Sequence, residues 1–136
     1  MIGKTIKGRH FGEVFRYLLS DEKCRIEGAH LLGGTAAGRT TTELIEEFES
    51  ISRLAKRAKK VVYHQVLRPP QDEGQRLSDS DWVKIATAHA TAMGYGDGLW
   101  VVIRHDDHVH LVASRVLFDG KVLSDSHDFA RAEASV

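Results

Sequence analysis

The sequence predicts an α+β fold, an antiparallel sheet with helices packed on it. Three observations lead there. Residues 99–104 and 109–116 are rich in Val, Ile, Leu and Trp and flank the Asp106-Asp107 pair, which reads as a tight hairpin. Two other stretches carry apolar residues at helical spacing behind capping hydroxyls. Strands and helices also mix without the regular alternation that a parallel sheet requires.

Taken in order, residues 1–7 read as a short strand and residues 12–19 as a short helix with Val14, Phe15, Leu18 and Leu19 on one side. Residues 28–38 hold four glycines and are expected to form a loop. Thr40 to Thr42 offer N-cap hydroxyls to a helix with Leu44, Ile45, Phe48, Ile51, Leu54 and Ala55 as its buried stripe. Residues 61–67 read as a strand stopped by Pro69-Pro70. Ser78 or Ser80 caps a second long helix that ends at Met93, with Gly94 at the usual C-terminal glycine position. After the hairpin, Asp119-Gly120 marks a turn and residues 121–123 a returning strand. The last ten residues look helical and finish without a stop signal, as though residues 1–136, one domain, break off within a longer protein.

At 136 residues and 15.2 kDa the chain is long enough for one proper core. No apolar run approaches the ~20 residues that cross a bilayer, so membrane insertion is not expected. A lone cysteine, Cys24, cannot form an internal disulfide, which fits a reducing cytoplasm. Nineteen basic residues balance nineteen acidic ones, which counts mildly against a nucleic-acid binder. The charge is nonetheless unevenly spread. Lys4, Lys7, Arg9, His10 and Arg16 make the first segment basic, and Arg53, Lys56, Arg57, Lys59 and Lys60 form a second cluster that reads as a solvated helix face.

The most informative residues are His105, His108 and His110. Strand side chains alternate faces, so His108 and His110 share one, and a two-residue turn sets His105 opposite His108. Imidazoles gathered on one face of an apolar hairpin repel when protonated and need partners when neutral, and a divalent cation satisfies them. Such a centre polarises a phosphate or carbonyl oxygen. No serine or cysteine triad, P-loop or HEXXH motif is present, which leaves simple hydrolysis or a tyrosine nucleophile. Tyr17, Tyr63 and Tyr95 are the three candidates, and the residues alone do not choose among them.

The segment from Arg104 through His105-Asp106-Asp107-His108-Val109-His110 to Val116 resembles the third motif of plasmid relaxases, which are HUH endonucleases of the mobilisation-nuclease type. His108-Val109-His110 matches the histidine–hydrophobic–histidine signature. Residues 1–8 resemble the family's opening strand, and Phe15-Arg16-Tyr17-Leu18-Leu19 resembles the motif that carries its catalytic tyrosine. The loop from Gly33-Gly34 to Thr40, Tyr63-His64-Gln65-Val66-Leu67, Leu77-Ser78-Asp79 and Met93-Gly94-Tyr95 fall in the expected order. Each match is weak by itself, and the shared order is the stronger signal.

The resemblance implies an HUH-endonuclease-like fold and strand-specific nicking and rejoining of DNA at a transfer origin, through a 5′-phosphotyrosine. By the same resemblance Tyr17 is the nucleophile, and His105, His108 and His110 bind Mg²⁺ or Mn²⁺. Asp106 or Asp107 orients a ligand histidine from behind. Lys4, Lys7, Arg9 and Arg16 steady the DNA backbone, and Arg39 with its glycine-rich loop approaches it. The implied partners are single-stranded DNA and accessory mobilisation proteins. Two departures stand out. Only two residues separate His105 from His108, fewer than in many relatives, which makes His64 a reserve ligand. The chain is also shorter than most relaxase domains. The competing expectations are a catalytically inactive single-stranded-DNA-binding module of the same fold and a metal-dependent phosphoesterase without a covalent intermediate.

Overall fold

The computed structural model describes residues 2–19, 30–70 and 73–123. Cys24, His127 and the expected C-terminal helix lie outside them. Five strands form one antiparallel sheet: β1 (Ile2–Gly8), β2 (His30–Gly34), β3 (Val62–Arg68), β4 (Trp100–His105) and β5 (His108–Ser114). Their spatial order is β1-β3-β5-β4-β2, so the histidine hairpin and β3 occupy the centre. The antiparallel α+β expectation holds.

Helices cover both faces. On one side lie α1 (Phe11–Leu18) and α2 (Thr41–Ser52), with a 3₁₀ turn at Arg53–Ala55. Phe48 of α2 packs against Phe11 and Phe15 of α1 at ring separations of 5.0 Å each, and this aromatic group sits with Leu18, Leu44, Val101, Ile103 and Val112 in one core. On the other side lie α3 (Glu73–Arg76) and α4 (Asp79–Met93), and Trp82, Ala86, Ala90 and Met93 of α4 pack on Tyr63, Val102 and Leu111. Central strands sandwiched this way are apolar on both faces, which is how their sequences read.

The helix signals act as expected. Thr40 Oγ1 accepts from Glu43 N at the start of α2, and Ser78 forms a reciprocal capping box with Asp81 at the start of α4. Gly94 ends α4 with φ of 90°. Leu54, expected in the buried stripe of α2, is exposed because the chain tightens to the 3₁₀ turn at Arg53 and leaves the helical register.

The expected loop at 28–38 is corrected in part: residues 30–34 form the edge strand β2, paired with β4. The strand bulges between Leu31 and Gly33 and ends at Gly34, whose φ of 122° brings its backbone against the Trp100 carbonyl. The glycines that suggested flexibility supply that bulge and close approach. The following turn is also tied down. Thr35 Oγ1 donates to the Gly98 carbonyl at 2.6 Å and accepts from Trp100 N at 2.9 Å, while the Glu47 carboxylate accepts from Ala37 N and Gly38 N.

Tyr63 and Tyr95 both belong to the α4-side core, where their rings lie 4.7 Å apart. Tyr63 Oη donates to Gln65 Oε1 at 3.1 Å and lies 3.0 Å from His89 Nε2. Burial pushes His89 down to about 4 from an ordinary value of 6.5. A base whose folded pKa is depressed favours folding fully above its unfolded pKa, and that contribution fades as pH falls from about 6.5 toward 4. Asp81 and Asp107, both held below the usual carboxylate range, act only at lower pH. We therefore predict that urea unfolding at stepped pH shows stability falling across that window, and that His89→Leu makes the profile flatter than wild type. Equal slopes in the two proteins would contradict this.

Candidate metal centre

The centre is built by a single hairpin. Asp106 and Asp107 form its two-residue turn, with Asp106 at φ of 56°, a left-handed conformation that aspartate tolerates better than most residues. This turn sets His105 directly opposite His108, and His110 follows two residues on along the same face. Ring centroids are 5.6 Å apart for His105–His108, 5.0 Å for His108–His110 and 4.6 Å for His105–His110. One nitrogen from each of the three rings lies within 4.8 Å of the others. Three nitrogens bound to one ion at ~2.1 Å in tetrahedral geometry stand roughly 3.4 Å apart, so the rings would draw in by up to about 1.4 Å around an ion.

The hydrogen bonds around the rings decide which nitrogen faces an ion. A carbonyl oxygen only accepts, so His105 Nε2, 3.0 Å from the Leu18 carbonyl, carries the proton and Nδ1 keeps the lone pair. Asp107 Oδ1 lies 2.8 Å from His108 Nδ1 and accepts its proton, leaving Nε2 as the donor atom to a metal. Arg68 Nη2 also lies near that Nδ1, at 3.4 Å, but the shorter bond to a carboxylate decides the tautomer. His110 Nδ1 is 2.8 Å from His64 Nε2, and when His110 donates in that pair its own Nε2 is the ligating atom. Each ring thus has one nitrogen held by the protein, the arrangement that orients histidine ligands in metal sites. The donor set fits a divalent cation.

The remaining expected site residues are placed unevenly. Asp107 reaches the His108 ring, and that bond holds its carboxyl below the ordinary carboxylate range. Asp106 turns the other way, accepting from Gln75 Nε2 at 3.2 Å. Gln75 belongs to a brace under the turn: Arg104 Nη1 pairs with Asp79 Oδ1 at 2.7 Å, Arg104 Nε donates to the Asp106 carbonyl, and Gly74 lies so close to the Asp107 carbonyl that any Cβ would overlap it. His64 is buried behind His110, with ring centroids 5.0 Å apart, and stands outside the three-histidine group.

Tyr17, 61% exposed, sits in the last turn of α1, one residue before the Leu18 whose carbonyl meets His105. Arg9 precedes α1 and Arg16 starts from its last turn, both exposed, with the Arg16 guanidinium turned back over Gly12. Lys4 lies in the cross-strand row of Val66 and His110, whereas Lys7 lies in the alternate row with Tyr63 and Ala113. Arg39 donates to the Gly38 carbonyl in the loop at the Trp100 end of β4. The six residues of that strand place it roughly 17 Å from the hairpin turn. The structure does not bring Arg39 to the histidines. Arg68, by contrast, is beside His108 and was not anticipated. The cross-strand register would have revealed it, because it ends the strand that runs alongside β5.

The fold and site together define an α+β domain whose central hairpin carries a three-histidine group able to hold a metal ion. The comparisons name the family. The family model described as Relaxase, MobA/VirD2-like, nuclease domain matches residues 17–136, and the chain belongs to that family. The matched span opens at Tyr17 and contains the whole histidine hairpin. Neither the curated proteins nor the solved structures give a match. Among the described residues no helix is long and apolar enough to cross a membrane.

The Asp107–His108 bond can be tested directly. Asp107→Ala removes the acceptor that fixes the His108 tautomer and should weaken metal binding by about 10–100-fold by titration calorimetry. Unchanged affinity would show that the carboxylate does not orient this ring.

Proposed function

We propose that this domain nicks and rejoins one strand of DNA at a plasmid transfer origin, with Tyr17 as nucleophile and His105, His108 and His110 as metal ligands. The observation that carries the reading is the bond from the carbonyl of Leu18 to His105, which ties the tyrosine's helix to the three-histidine hairpin. Family membership supports the substrate class.

A cation held there supplies Lewis-acid stabilisation of the charge that develops on the scissile phosphate. The chain supplies the rest. Tyr17 Oη bonds to phosphorus and loses its proton to solvent. The bond from phosphorus to the 3′ oxygen breaks, and that oxygen takes up a proton. The products are a 5′-phosphotyrosine and a free 3′-hydroxyl, and the reverse attack by that hydroxyl reseals the strand. Arg68, beside His108 Nδ1, adds positive charge behind that ligand, next to the Asp107 carboxylate. Lys4, Arg9 and Arg16 are candidate backbone contacts, while Lys7, in the row of Tyr63 on the other face of the sheet, and Arg39 serve DNA only at a distance from the centre. Asp107 positions His108, and His64 positions His110. Accessory mobilisation proteins and a cytoplasmic setting complete the proposal.

Incubation with a random pool of single-stranded oligonucleotides and Mn²⁺ tests the reaction. Label on the 3′ end should travel with the protein on a denaturing gel, and label on the 5′ end should not. Tyr17→Phe or chelation should reduce the adduct to background. Cleavage that survives Tyr17→Phe would point to hydrolysis, and binding without cleavage to an inactive module.

Of the two expected metals, Mn²⁺ fits the donor set better. Three imidazoles suit a borderline transition ion, whereas Mg²⁺ demands oxygen ligands and gives up water reluctantly. Calorimetric titration should show Mn²⁺ binding at least about tenfold more tightly than Mg²⁺. The reverse order would mean that oxygen ligands dominate the site.

A further inference from the structure

The second basic cluster does not stand alone on a helix face. It closes, with residues from two other parts of the chain, around an open cavity of about 760 Å³ at the far end of the sheet. Arg9 comes from the turn before α1, and Lys56, Arg57, Lys59 and Lys60 from the segment between the 3₁₀ turn and β3. Arg115, just past β5, lies buried beneath, its guanidinium donating to the Leu123 carbonyl. Among the described residues no Asp or Glu lines this cavity. A smaller one of about 360 Å³ shares Arg9 and Lys56 and extends the groove past His10 and Arg53, with Glu49 its one acid.

In a chain with no net charge, six cations from three segments around one concavity make a polyanion site, and a solvated helix face would not need them to converge. Its position indicates which polyanion. The groove lies at the Ser114 end of β5 and the histidines begin at its His108 end, so the seven residues of β5 put them about 20 Å apart. Helix α1 bridges the interval, with Arg9 preceding its groove end, the Arg16 guanidinium turned back over Gly12, and exposed Tyr17 at the metal end. That span equals about six nucleotides at the ~3.4 Å B-form rise per strand, and fewer when the strand is extended.

We infer that this groove is a second DNA-backbone site, holding the strand that flanks the scissile phosphate while the histidine hairpin holds the phosphate itself. The inference rests on the nicking reading for its choice of DNA, but its test needs no nicking. Binding of oligothymidylates from about four to about twenty nucleotides is followed by fluorescence anisotropy across 50–200 mM salt. Wild type should gain affinity stepwise once the strand is long enough to reach both sites. Lys56→Glu should abolish that step, cost the long strand tenfold or more in affinity, and lower its salt slope by about 0.7, one phosphate contact. Lys84→Glu, the same charge change on exposed α4, should alter binding less than twofold.

Persistence of the step in Lys56→Glu, or its equal loss in Lys84→Glu, overturns the groove and leaves the nicking reading intact. Failure of wild type to bind any length overturns the groove too. Absence of a Tyr17 adduct despite an intact length step overturns only the nicking reading. Unchanged circular dichroism in both variants confirms that the comparison is between folded proteins.

Discussion

Everything at the centre depends on the register of one two-residue turn. Because strand side chains alternate, a slip by a single residue in the β4–β5 pairing would send His105 to the face opposite His108 and His110. Two features oppose that slip. The flanking strands are apolar on both faces and already committed to different cores, so a shift would misplace Val101, Ile103 and Val112 along with the histidines. The turn is also braced from below by Arg104, Asp79, Gln75 and the close backbone of Gly74. The three histidines inherit their order from packing that has nothing to do with metal.

The same register explains why His64 and Arg68 matter. β3 runs beside β5, so its even-numbered residues continue the rows of the histidine face: Val66 beside His110, and His64 beside Val112 one row further in. His64 is therefore a diagonal neighbour of His110, near enough to hold its Nδ1 yet set back from the other two rings. The short spacer between His105 and His108 follows from the same geometry. Two residues are what a tight hairpin needs, and they leave His105 paired with His108.

Legibility in the sequence followed the locality of the signal. The hairpin, the capped helices and the strand before Pro69 were readable because turn length, caps and periodicity are properties of a few adjacent residues. The edge strand at 30–34 was not, since its glycines carry no strand propensity and its pairing depends on a bulge and on Trp100 some seventy residues away. Arg68 and the role of His64 were hidden for a related reason: each is defined by a partner on another strand. The cations at 56–60 show the limit most clearly. Their run was visible, but the convergence with Arg9 and Arg115 exists only after β1, β3 and β5 pair.

The contact between α1 and the hairpin bears on the proposed nicking reaction. His105 Nε2 is spent on the carbonyl of Leu18, near the end of a short helix that must leave its last carbonyls without helical partners. One bond thus satisfies a buried helix terminus, fixes the tautomer of His105 and ties the turn that carries Tyr17 to the three-histidine hairpin. Such sharing makes the three difficult to move independently. In the proposed reaction a Tyr17 nucleophile that must attack, remain covalently attached and then be displaced along the same path would be served by that rigidity, because attack and resealing require the same alignment of oxygen, phosphorus and leaving oxygen.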